Sequence, residues 1–288
     1  MISTLVSKWH RFPTGEGCSR FPTCRKLSPP AILILLFLSI PGCGLNELKN
    51  EDRLERGLVV VLPGVEGPSP WNRNIARGLD RGGVNCGIEV YDWGTKIPGG
   101  FLINLTSHTR NERMAKKVSR HLQRYMCKYP DRQVHVVGHS GGAAIALMAV
   151  GQLPKDCPVE SVTLLGVALS PAYDLRPALA RTRSHIYNCY SQRDCLLLGP
   201  GTRIAGTIDR QYCEAAGKVG FELPEDMTES DSRLYAKLRQ REWHEDLLRL
   251  GNDGGHAGWT HPRFVQHWIA PAIRNMLWDA PEPEIACH

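Results

Sequence analysis

Residues 134–150, VHVVGHSGGAAIALMAV, constrain the fold of this chain more than any other stretch. VHVVG predicts a short buried strand over 134–138. It runs without a spacer into GGAAIALMAVGQL, whose small apolar residues predict a tightly packed helix. The junction is Gly138-His139-Ser140-Gly141-Gly142. So abrupt a turn forces Ser140 into a strained backbone conformation, and side chains at Gly138 and Gly142 would collide with the neighbouring strand and helix. The Ser140 hydroxyl then stands above the carboxyl edge of a sheet. It faces a helix N-terminus whose partial positive charge favours a developing anion. A nucleotide-binding turn would need a third spaced glycine or a phosphate-binding lysine, and neither is present.

The rest of the chain supplies the sheet around that turn. LVVVL (58–62) is a continuous apolar run of the kind buried on both faces of a parallel sheet. LPGVEGPSPW follows as a Gly/Pro loop, and a helix is expected from about Trp71, where Ile75, Ala76 and Leu79 share a face. IEVYDW (88–93) is the next strand, and 94–107 a long loop. Over 111–128, Ala115, Val118, Leu122, Tyr125 and Met126 recur at helical spacing, with Arg and Lys on the solvated face. Further strands are expected at 162–168 and 185–190, and a final helix over 264–276. Strands alternating with helices imply parallel pairing and an α/β three-layer sandwich. Residues 201–250 are charge-rich, with helical candidates near 230–250, and suggest an insertion or cap over one end of the sheet.

The 288 residues carry 35 basic and 29 acidic side chains, a formal +6 that would suit a polyanionic partner. Its position argues otherwise. Lys8, Arg11, Arg20, Arg25 and Lys26 face only Glu16 within residues 1–42, so the remainder holds 30 basic and 28 acidic residues and is nearly neutral. No basic run with interleaved aromatics follows, so no nucleic-acid partner is expected. The basic stretch precedes AILILLFLSI (31–40), too short for a hydrocarbon core that needs roughly 20 residues. Together they describe a secretory signal over 1–42. The cut region, Ser39-Ile40-Pro41-Gly42-Cys43, resembles a bacterial lipobox with proline at −2. That resemblance implies a lipid anchor at Cys43 and an exported protein held on a membrane, facing the periplasm or cell exterior. Residues 43–57 then form a polar tether, and 280–288 a tail. Seven cysteines remain beyond Cys43. They show no CxxC pair and no zinc-type histidine spacing, so neither a metal nor a cofactor is expected. In an exported protein, Cys189 with Cys195 or Cys195 with Cys213 are candidate disulfides.

GHSGG together with YDWG (91–94) resembles the α/β-hydrolase superfamily, in its esterase and lipase-like branches, over roughly 58–278. The resemblance implies a serine nucleophile at Ser140, followed in chain order by an acid and a histidine. Asp194, in the SQRD turn after HIYNCY, matches the acid; Asp174 in SPAYDL is the alternative. His256 in GGHAGW matches the base, with His261 as the alternative. His139 is adjacent to the nucleophile and cannot fold back to its hydroxyl. Oxyanion donors follow by the same match: the Gly141 amide, and the Val65 amide in PGVEG, which resembles the family's HGxxG with Pro63 in place of the histidine. Glu66 is an unusual neighbour for an oxyanion. The implied activity is hydrolysis of small carboxylic esters, with lipids, thioesters or amides as variants. A peptidase or a non-catalytic binding module can occupy the same fold.

Overall fold

β1 (Leu58–Leu62) is buried along its whole length and lies inside the sheet, paired with a neighbour on each side. The computed structural model describes residues 45–95, 100–194 and 206–275. The leader over 1–42, Cys43, Cys195 and the tail over 280–288 lie outside them. Six strands run in the order β2-β1-β3-β4-β5-β6, and every neighbouring pair is parallel. The remaining strands are β2 (Gly87–Val90), β3 (Val134–His139), β4 (Ser161–Leu165), β5 (Ile186–Tyr190) and β6 (Leu238–Glu242). The register pairs Leu62 with Gly138 and His139 with Leu165, so three strand ends converge beside Ser140.

Alternate β1 residues feed different cores, as the two-residue period of a strand requires. Leu58, Val60 and Leu62 face α1 (His108–Lys128) and α2 (Gly141–Gly151), with Ala115, Val118, Leu122 and Ile145 in that layer. Val59 and Val61 face α3 (Pro70–Arg81) and the C-terminal helical run, with Ile75, Leu79, Phe264 and Ile269. That run comprises Pro262–Phe264, a π-helical turn Val265–Ile269, and Ala270–Asn275. The result is the three-layer α/β sandwich, with an all-parallel sheet, that the alternation predicts.

Three expectations need correction. The 94–107 loop contains a helix, Gly100–Thr106. The 201–250 region contributes β6, which extends the sheet beyond β5. Its sequence LRQRE has no apolar alternation because it lies at the edge, where charged side chains also discourage pairing with another chain. Cys189 and Cys213 are free thiols, and Cys195, which both candidate disulfides need, lies outside the described residues.

Nor are residues 46–56 a tether. Arg53 donates to the carbonyls of Cys86 (2.9 Å) and Val84 (2.6 Å) and to Asp80 Oδ1 (2.7 Å). Tyr125 Oη donates to the Leu54 carbonyl at 2.5 Å. Arg53→Ala is expected to lower unfolding stability by about 2 kcal/mol, because two carbonyls and a carboxylate lose a charged donor. An unchanged urea midpoint would mean that the segment is merely tethered.

His135 is buried within β3, its Nδ1 2.8 Å from the Ser161 hydroxyl, and burial pushes its pKa down to about 4. Its folded pKa lies below its unfolded one. The associated stability is therefore complete above about pH 6.5 and is lost as pH falls toward 4. In that window His135→Gln should flatten the stability–pH slope by about one proton, or about 1.4 kcal/mol per pH unit. Equal slopes for wild type and variant in urea titrations would contradict this.

Candidate active site

At the end of β3 the backbone of Ser140 takes φ 55° and ψ −123°, a conformation that L residues rarely adopt. A Cβ on Gly138 would overlap the backbone of Ala143, and one on Gly142 would overlap the carbonyls of Leu62 and Pro63. Only glycine lets α2 approach β1 this closely. The Ser140 peptide is pinned from two directions: its N–H donates to Leu165 O (2.9 Å), and its carbonyl accepts from Ala143 N (3.1 Å) and Ala168 N (3.3 Å).

Asp194 closes the turn after β5, where its amide donates to Ser191 O at 3.0 Å. Its side chain is almost wholly buried and accepts from His256 Nδ1 at 2.5 Å. That bond fixes the imidazole tautomer and leaves Nε2 as the basic nitrogen. The His256 loop is shaped by Gly251 (φ 79°) and Gly254 (φ 80°) and anchored through buried Asn252, whose carbonyl accepts from Trp243 Nε1 at 3.0 Å. The two alternatives do not meet this pair. Asp174 is half exposed and bonded by Arg176 Nε at 2.8 Å. The His261 ring lies against Gly251, and its Nδ1 is buried without a partner.

His139 joins the His256 loop to the elbow. Its Nε2–H donates to the His256 carbonyl at 3.1 Å, and the two ring centroids are 4.7 Å apart. Complete burial, reinforced by the charge of His256, pushes its pKa down to about 3, so the ring stays neutral. The Trp71 ring meets it edge-on, at 6.0 Å between centroids.

Above the elbow, a Cβ built on Gly141 would lie 2.6 Å from Val65 Cγ1 and 3.6 Å from Val65 N, so the two proposed oxyanion donors adjoin. Neither amide donates to a described group. The Glu66 carboxyl folds over Gly64 and accepts from Ser69 Oγ (3.2 Å) and Asn72 Nδ2 (3.4 Å). Burial raises its pKa, opposed by its own amide, Ser69, the His256 charge and the Gly64 amide. Glu66 thus staples its own loop. Trp93 Nε1 donates to Pro63 O at 2.6 Å, and Asn104 Nδ2 donates to Val65 O at 2.7 Å. Sequence reasoning missed Trp71, Trp93, Asn104 and the role of the His139 ring; only YDWG hinted at Trp93. Among the described residues no cluster of three His, Cys, Asp or Glu side chains is arranged to hold a metal ion.

The lipase (class 3) family profile matches residues 59–196, a stretch running from β1 through the elbow to the Asp194 turn. Among solved structures, the chain is similar to lipase B of Aspergillus fumigatus, with 11% identity and a TM-score of 0.46 over 82% of this chain and 55% of that one. A poly(3-hydroxybutyrate) depolymerase from Bordetella parapertussis aligns at 15% identity and a TM-score of 0.49, over 80% and 83% of the two chains. A cutinase-like protein from Cryptococcus sp. aligns at 13% and 0.40, over 76% and 94%. No curated protein sequence matches the chain.

The close approach at Gly142 is testable. Gly142→Ala should lower the melting temperature by several degrees, as an overpacked contact costing about 1–3 kcal/mol would. An unchanged melting temperature would refute the approach of α2 to the Leu62 and Pro63 carbonyls.

Proposed function

We propose that the chain is a serine hydrolase on an α/β-hydrolase fold, cleaving carboxylic esters through an acyl-enzyme. The observation that carries this reading is the Asp194–His256 bond, held on two loops and joined through the His139 ring to the strained strand-to-helix turn of Ser140. The lipase (class 3) match over residues 59–196, which takes in Ser140 and Asp194, supports ester substrates.

A free serine hydroxyl is a poor nucleophile at neutral pH and needs a base. His256 Nε2 takes the proton from Ser140 Oγ as the oxygen attacks the acyl carbon. Asp194 holds the Nδ1–H tautomer and stabilises the imidazolium that forms. The tetrahedral oxyanion is met by the amides of Gly141, at the start of α2, and Val65. Imidazolium Nε2–H then protonates the departing alcohol. Water attacks the acyl-enzyme by the same route in reverse roles, releasing the acid and restoring Ser140.

A fluorophosphonate probe should label the wild type and fail to label Ser140→Ala. On a short-chain p-nitrophenyl ester, His256→Ala and Asp194→Asn should each lower kcat by about 10⁴-fold. Equal labelling of Ser140→Ala, or no labelling of wild type, would sink the enzymatic reading and leave a binding module on a hydrolase fold. Near-normal turnover by His256→Ala would move the base elsewhere.

A further inference from the structure

The loop carrying Val65 poses a problem that its own sequence does not solve. A backbone amide helps an oxyanion only if its direction is set before charge develops. In PGVEG the first residue is proline, which brings neither an N–H nor a polar side chain to brace the loop. Glycine at 64 and 67 adds freedom.

The structure shows what restrains it. Three consecutive carbonyls are each engaged: Pro63 O by Trp93 Nε1 (2.6 Å), Gly64 O by Gly67 N (3.0 Å) and Val65 O by Asn104 Nδ2 (2.7 Å). The Val65 N–H shares a planar trans peptide with the Gly64 carbonyl, so it points the opposite way. The Gly64 amide and that of Glu66 act on the Glu66 carboxylate, which leaves the Val65 amide as the one without a partner. Two of the three restraints are side chains from outside the loop, and both are buried.

Those side chains are braced in turn. Asn104 Oδ1 accepts from Thr95 N (3.0 Å), and its backbone carbonyl accepts from Asn111 Nδ2 (2.8 Å). The Trp93 carbonyl accepts from Arg110 Nη2 (2.8 Å), whose guanidinium also lies 5.6 Å from the indole centroid. The path from the loop to the first turn of α1 is therefore a continuous set of directed hydrogen bonds.

We infer that Asn104 and Trp93 are positioning residues for the oxyanion hole: they lock the peptide planes on either side of the Val65 amide and so aim it at the developing negative charge. The inference rests on the serine-hydrolase reading. It assigns to two residues outside the loop the stiffening that Pro63 cannot supply.

Asn104→Asp keeps shape and the acceptor for Thr95 N but removes the donor to Val65 O. Trp93→Phe keeps a ring and removes only the indole N–H. For Asn104→Asp we expect kcat on a p-nitrophenyl ester to fall about 100-fold with KM changed less than threefold, because a misaimed donor is felt mainly in the transition state. Binding of a trifluoromethyl ketone, which forms a tetrahedral adduct with the serine, should weaken by the same factor as kcat/KM. Trp93→Phe should show the same pattern at about tenfold. Activity per labelled Ser140 separates this from loss of folded protein. If Asn104→Asp does not fold, Trp93→Phe carries the test. The inference is overturned if the variants stay within twofold of wild type, or if turnover falls while ketone affinity holds. Failure of the underlying reading looks different: wild-type Ser140 itself would then go unlabelled, and the inference would fall with it.

Discussion

Where β3 passes into α2, the backbone of Ser140 is held in a sparsely populated conformation, at a cost of about 1–3 kcal/mol. The surrounding structure over-determines it. Leu165, Ala143 and Ala168 bond its peptide on both sides, and α2 presses so close to β1 that Gly142 touches the carbonyls of Leu62 and Pro63. The same contact that strains the serine also brings the Pro63–Gly67 loop down onto Gly141. Ser140 and the Pro63–Gly67 loop are thus placed by one packing event, and the small side chains of α2 permit it.

His256 is tied to that junction by a different kind of bond. His139 precedes Ser140 in the turn, and burial keeps its ring neutral. Its Nε2–H holds the main chain of His256, while Asp194 holds the His256 side chain. Two directed bonds on opposite sides of one residue restrict a loop that otherwise turns through two left-handed glycines, Gly251 and Gly254. A loop rich in glycine can therefore present an imidazole in a defined orientation.

Legibility in the sequence followed burial. β1, β3 and β5 are apolar runs enclosed on both faces, and their bounds were close to correct from composition alone. β6 was invisible because an edge strand carries charge for solubility and pairs on one side only. Residues 46–56 looked like a solvated linker, yet Arg53 anchors them by bonds to main-chain carbonyls, which leave no imprint on hydropathy. Asp174 and Asp194 each follow a strand in an equally plausible turn. What separates them is that Asp174 pairs with nearby Arg176 at the surface, while Asp194 meets a histidine 62 residues away.

By itself the sequence determined the strand-to-helix junction at Ser140 and the parallel alternation around it. These are local: steric demand and hydrophobic period act between residues a few positions apart. Only the tertiary structure decided which Asp meets which His, and what braces the Val65 amide. The partners in those bonds come from distant elements that meet only once the sheet has assembled, so no pattern within a single stretch of sequence encodes them.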